Sequence, residues 1–406
     1  MHLIELLLGA LKTSISTVRV KWYYPLNDAK YISSETLFEE DVMIKRKLVG
    51  LIAMSLFTTL SWAQQNEDPF VAGFERWAEE VSWQDKGVMS GAAEIYANEA
   101  KATIRSAGYI GKVLPLPKAV KVAEGVYTVV GSQIWHNPSN FGFNNNISFV
   151  IFKDGVFVFN TGANPAISYS VHQQIKQITD KPVKWVAVEN NQGHAYFGAS
   201  YWVDIGVKHL YSSDMANGQF DVGFERAKAE WSERVGKALM NDIRNVSDRF
   251  TTFDNEMEID VGGGESIHLI DFGPGHTPAS TSVYIPSRKL LLAGDLAFNE
   301  RMPVMFTYTN SIAWMESFEA MMARIPKDTT VVPGHGTPTN MATVKKQTYD
   351  YFRYVQAEVQ KVVDDGGDLE AAENVDQSKY KDRPVFEQAA KNNARKIYYE
   401  ITGGDF

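Results

Sequence analysis

The chain has 406 residues, enough to bury a full core, and one large domain with appendages fits this length better than two equal domains. A formal net charge of -9, with no basic stripe, gives nucleic acid no electrostatic hold. There is no cysteine, which excludes disulfides, thiolate metal ligands, a cysteine nucleophile and a lipid-modified cysteine.

Residues 1–42 read as neither a targeting signal nor a domain, and Met43 reads as the natural start. Met43-Ile44-Lys45-Arg46-Lys47 is basic, Leu48 to Leu60 is apolar, and Ser61-Trp62-Ala63 supplies small residues around a cut after Ala63. That order is the pattern of a secretory signal peptide over 43–63. Its apolar run is short for a bilayer span, so the sequence predicts export without stable membrane insertion. An exported chain without cysteine points to a bacterial periplasm.

Downstream, 64–115 is expected as a helical segment, with Phe70, Phe74, Trp77 and Val81 at helical spacing. Strands are expected at Val120 to Val122, Val126 to Val130, Ile147 to Phe152 and Val156 to Phe159. The last two are joined through Lys153-Asp154-Gly155, a strong hairpin turn. Asn160-Thr161-Gly162 leads into a helix containing Val171, Ile175 and Ile178, and Val183 to Val188 reads as a buried strand. A helix over 222–246 carries Trp231, Val235, Leu239 and Ile243 on one face. Further strands are expected at 256–261, 266–272, 281–285, 289–293 and 329–332. Tyr349 to Val363 reads as an amphipathic helix, and 351–406 as a charged helical tail packed on the outside. Strands flanked by helices, with the second half echoing the first, suggest two sheets sandwiched between helices over 116–350.

Chemistry concentrates at strand-end turns. These are Gly273-Pro274-Gly275-His276-Thr277-Pro278, Leu292-Ala293-Gly294-Asp295 and Val332-Pro333-Gly334-His335-Gly336, preceded by Glu189-Asn190-Asn191-Gln192-Gly193-His194-Ala195-Tyr196. With Asn160-Thr161-Gly162 these turns, over residues 120 to about 350, resemble the metallo-beta-lactamase fold superfamily, whose first motif is His-x-His-x-Asp-His. The resemblance implies an α/β protein, an αββα sandwich with N- and C-terminal helical extensions, holding metal at the open sheet edge.

Carried over without gaps, Asn190 and Gln192 stand at the first two histidines of that motif. His194 stands at its aspartate, and Ala195 replaces the adjacent histidine. One ion then keeps only His276 among strong ligands, beside the weak amide donors Asn190 and Gln192. The other keeps His194, Asp295 and His335, two histidines and a carboxylate with an open position. A gapped alignment instead makes Gln192 and His194 the two motif histidines. Asn160 also departs from the usual aspartate, a charge that orients a ligand from behind.

The resemblance thus implies a zinc-dependent hydrolase with one ion, acting on an ester, lactone, lactam or similar bond of a small molecule. Asp295 would hold the ion and orient its water, His276 would act as acid or base, and Tyr196 would donate to a developing oxyanion. The lost ligands equally suit a non-catalytic binding protein of the same fold, and two histidines with a carboxylate also hold iron. His136 and His172 lack partner spacing and read as structural or surface residues.

Overall fold

The computed structural model describes residues 114–404, apart from 115, 241 and 242. The expectations of an upstream extension over 1–42, a signal peptide over 43–63 and helix over 68–112 fall outside these residues. Seven strands form one sheet in sequential order: β1 (Val120–Ala123), β2 (Val126–Val129), β3 (Ile147–Ile151), β4 (Val156–Phe159), β5 (Val183–Ala187), β6 (His209–Ser213) and β7 (Phe250–Phe253). Pairing is antiparallel through β4 and parallel from β4 to β7. Six more form the second sheet: β8 (Glu256–Asp260), β9 (Ser266–Asp271), β10 (Thr281–Ile285), β11 (Leu290–Phe298), β12 (Thr330–His335) and β13 (Thr339–Asn340).

Alternation along the strands builds the layers, because successive side chains point to opposite faces. In β4, Phe157 and Phe159 point between the sheets, where they join Leu269, Val283 and Leu292 of the second sheet. Val156 and Val158 point outward, against helix α1 (Pro165–Ile178). In β11, Leu290 and Leu292 face the first sheet, whereas Leu291 and Ala293 face the opposite helices. Three buried clusters between four layers make an αββα sandwich. The Asp-Gly hairpin closes as expected, with the Phe152 N–H donating to the Gly155 carbonyl at 2.9 Å.

Two expectations change. A one-turn helix α2 (Gly193–Tyr196) precedes α3 (Asp214–Val235), and α3 stops at Gly236 rather than running to 246. Gly236 adopts φ 110, a conformation that an L side chain resists and that ends the helix. The apolar stripe survives the break, since Leu239 and Ile243 still join the buried cluster of Trp231 and Val235.

The C-terminal segment is not an outer tail. Helices α4 (Ser311–Arg324), α5 (Asp350–Asp364) and α6 (Phe386–Thr402) share one buried cluster with the outer face of the second sheet, α6 packing on α5. Asn393 of α6 is fully buried; its amide oxygen accepts from the Met305 N–H at 2.9 Å and its Nδ2 donates to the Pro303 carbonyl at 2.8 Å. α6 therefore braces the loop after β11, which borders the site. No helix among the described residues is long and apolar enough to cross a membrane.

Candidate metal centre and its pocket

Four chain segments deliver the site, each through a turn that glycine makes passable. β5 ends at Ala187, and α2 then presents His194; a Cβ on Gly193 would lie 2.5 Å from the Phe197 ring. Gly294 takes φ 59 within β11 and aims Asp295 across the sheet edge. A Cβ on Gly334 would lie 2.1 Å from Asp295 Oδ1, so only glycine lets His335 come so close. His276 follows Gly273 (φ 116) in a turn between β9 and β10.

The structure brings His194, Asp295 and His335 together: one ligand atom from each lies within 4.8 Å of the others, and all three residues are buried. His194 Nε2 is 3.2 Å from Asp295 Oδ2, and His335 Nε2 is 3.3 Å from Asp295 Oδ1. These approaches lack hydrogen-bond alignment, so His194 Nε2 and both Asp295 oxygens are buried without a hydrogen-bond partner. Unsatisfied buried polar atoms are rare and call for a ligand or ion. Burial opposes charge on Asp295, but His335 and His194 hold its carboxyl well below the usual range. Burial first, then Arg301, pushes His335 down to about 3. An ionised carboxylate beside a neutral imidazole is the protonation state that metal ligation requires. The donor set therefore fits one divalent ion.

One neighbour opposes it. Arg301, buried, places Nη1 2.6 Å from His335 Nδ1 and 3.1 Å from Nε2. A ring that coordinates through Nε2 carries its proton on Nδ1, facing this guanidinium, so Arg301 must withdraw when an ion binds. Burial lowers Arg301 to about 10, which leaves it charged at neutral pH.

Behind the donors lies a buried polar network. Glu189 Oε1 accepts from Asn145 Nδ2 at 2.6 Å and Asn160 Nδ2 at 3.0 Å, while Oε2 accepts from the Asp295 N–H. Burial, then the Asp295 charge, pushes the Glu189 carboxyl up, and the surrounding donors pull it down. Its hydrogen-bonding partners only donate, so the carboxylate is the form they satisfy. Asn160, at φ 68, also takes the Glu189 N–H on Oδ1 at 3.1 Å. The negative charge expected at position 160 is thus supplied from position 189, and an aspartate at 160 would set two carboxylates against each other. Asn146 ties the two sheets together, donating to the Pro333 and Gly336 carbonyls at 2.8 and 2.7 Å beside His335.

The other residues singled out from the sequence fall in different places. Tyr196 is fully buried, stacked on Phe220 at 3.7 Å, with its hydroxyl donating to Asn217 Oδ1 at 2.5 Å. It does not line the pocket. Two residues along a helix turn a side chain by about 200°, so the turn that points His194 into the site points Tyr196 into the core. Asn190 is fully buried and caps its own turn, accepting from the Gln192 N–H at 2.9 Å.

Gln192 Nε2 reaches His276 Nε2 at 3.2 Å and Tyr308 Oη at 3.1 Å, in the cavity that His194 and His335 also line. His276 Nδ1 is 2.8 Å from the Val304 carbonyl, which can only accept, so the proton sits there and Nε2 offers a lone pair. Its Nε2 lies 3.9 Å from Asp295 Oδ2, outside the three-donor cluster. Burial lowers His276 to about 4, so it is a neutral acceptor at neutral pH and not an acid.

Sequence reading missed Glu189, Asn145, Asn146 and Arg301. The run Asn144-Asn145-Asn146 before an apolar strand was the one available signal. His172, read as structural, binds the Tyr201 hydroxyl at 2.7 Å through Nδ1. His136 stacks on Trp231 at 3.7 Å and does line the pocket.

The family model described as Metallo-beta-lactamase superfamily matches residues 193–335, from α2 to the histidine that ends β12. The chain is 22% identical over 211 residues to "Probable metallo-hydrolase YqgX" of Bacillus subtilis (strain 168), covering 50% of this chain and 90% of that protein. A solved metallo-beta-lactamase from Pontibacter korlensis superposes with a TM-score of 0.47 and 19% identity, over 58% of this chain and 98% of its own. The DIM-1 metallo-beta-lactamase does so with a TM-score of 0.45 and 19% identity, over 58% and 96%. The matched span runs from the motif helix to the final histidine, and over it the chain is similar to the metallo-beta-lactamase superfamily.

Proposed function

We propose that this protein is a hydrolase that holds one divalent ion, zinc by the chemistry of its donors, on His194, Asp295 and His335. The observation that carries the reading is the convergence of these three donors, with three of their atoms buried and unpartnered. When bound, such an ion would lower the pKa of its water to about 7 and polarise the attacked carbonyl or phosphoryl group.

The chain's own residues do the rest. Asp295 is held by the Glu189 network behind it and keeps an ionised oxygen at the reacting edge. His276 Nε2 accepts from the Gln192 amide at 3.2 Å, which fixes that side chain at the pocket wall. Tyr308 accepts from Gln192, which leaves its O–H free to donate toward a developing oxyanion in place of Tyr196. The bond attacked is an ester, lactone, lactam, thioester, or a phosphate or sulfate ester. Turnover of one such class, lost on chelation, restored by zinc and absent in His335→Ala, is the expected result. Inertness of the zinc-loaded protein across that panel would overturn it.

A second reading, a non-catalytic protein that binds a small molecule, has one observation in its favour: the Arg301 guanidinium already occupies the ring nitrogens of His335. Uptake of iron rather than zinc would instead favour redox chemistry. We also propose export to a periplasm, with the mature chain beginning near Gln64. N-terminal sequencing that finds 1–42 still attached to exported protein would reject that.

A further inference from the structure

The cavity above the three donors is about 310 Å³, at the small end for ligand sites. Its charge is opposite to that of the chain. On a protein of net charge -9, three guanidiniums and a single carboxylate line this cavity: Arg226, Arg234, Arg301 and Glu230. Arg226, Glu230 and Arg234 follow at four-residue intervals and so share one face of α3, with Trp231 on the same side. Asp295 is not among the lining residues and lies against His194 and His335 at 3.2 and 3.3 Å.

Arg301 and Arg234 bracket one wall. Arg301 lies over the Trp135 ring, 5.2 Å from its centroid, and Arg234 Nη1 is 3.4 Å from His136 Nε2. Arg301 is 2% exposed, and its Nε is buried without a hydrogen-bond partner. No ion pair joins Arg226 or Arg234 to an acid among the described residues, although Glu230 lies one helical turn from each. A buried guanidinium with an unused donor, at the base of a cavity with further guanidiniums at its mouth, is an arrangement for an incoming oxyanion. Phe298, Val304 and Phe306 give the cavity an apolar stretch of wall beside the polar Asn144, Gln192 and Tyr308.

We infer that the molecule received by this pocket carries a fixed negative charge, as carboxylate, phosphate or sulfate oxygens, on a small apolar body. The oxyanion seats against Arg301 and Arg234 at the Trp135–His136 wall, and Arg226 draws it in from solvent. The inference rests on the site proposed above and narrows its substrates, placing anionic esters and amides ahead of neutral lactones. It applies equally to a bound ligand that is not hydrolysed.

The test is equilibrium binding of matched probes, benzoate and phenyl phosphate against uncharged benzamide, to the full-length protein in chelator and again with zinc. At low salt the better oxyanion should bind about tenfold tighter than the amide or more, as charge-assisted hydrogen bonds provide. The preference should shrink as salt rises. Arg226→Ala and Arg234→Ala, both surface changes, should each weaken the oxyanion about 2–5-fold and leave benzamide unchanged. Lys208→Ala, an exposed cation outside the pocket, controls for overall charge. Equal binding of benzamide, no oxyanion binding in either condition, or an equal loss in Lys208→Ala would overturn the inference. A protein that hydrolyses nothing yet prefers oxyanions would end the hydrolase proposal and leave this one standing.

Discussion

Replacing Glu189 by glutamine keeps the shape of the side chain and removes its charge, at the residue that ties the motif strand to Asp295. The carboxylate accepts Asn145 Nδ2 at 2.6 Å, Asn160 Nδ2 at 3.0 Å and the Asp295 N–H. A glutamine has one oxygen and one NH2, so at least one of these contacts becomes donor facing donor in a fully buried space. Losing a charge-assisted bond and stranding a donor destabilises by about 2–4 kcal/mol, reduced by relief of the nearby Asp295 repulsion. Urea unfolding should show a lower midpoint with an unchanged slope. Metal affinity should fall by about 10–100-fold, because Asp295 loses its support from behind. A variant as stable as the parent, or more so, would show that the three donors do not compensate the buried charge and would refute the reasoning.

Tyr196→Phe should lower stability by about 1 kcal/mol, the worth of its hydrogen bond to Asn217, and leave activity and metal content untouched. A large loss of turnover would return Tyr196 to the site. His172 is pushed down to about 4 by burial and then by Lys176, against an ordinary value of 6.5. Its depressed value means the unfolded chain binds the extra proton, so stability is full above pH 6.5 and falls as pH drops toward 4. His172→Asn should flatten this slope by about 1–2 kcal/mol, allowing for partial exposure; an unchanged slope in pH-dependent unfolding would refute the assignment.

What the sequence discloses follows from how locally each feature is determined. The Asp-Gly hairpin, the strands buried on both faces and the turns around Asp295 and His335 are written in runs of adjacent residues. β6 and β7 escape notice because His209–Ser213 and Phe250–Phe253 are short, partly polar and without a clean alternation. The break at Gly236 hides because the apolar period continues across it. Tyr196 looks like a site residue because it adjoins His194 in sequence, and helical rotation separates the two. Glu189 and Arg301 gain their roles only from partners brought together by the fold, Asn145 and Asn160 for the first and His335 for the second. α6 reads as a tail because its buried face is mostly alanine and asparagine rather than leucine; Asn393 nevertheless holds the loop beside His276.

The central claim is that one ion binds at His194, Asp295 and His335 while the half beside Gln192 and His276 holds none. Elemental analysis combined with zinc titration of protein purified without chelator tests it most directly. The expected result is about one ion per chain in the parent, none in His335→Ala, and nearly the full content in Gln192→Ala. A parent that takes up no zinc on titration, or a Gln192→Ala variant that loses its ion as completely as His335→Ala, would contradict the assignment.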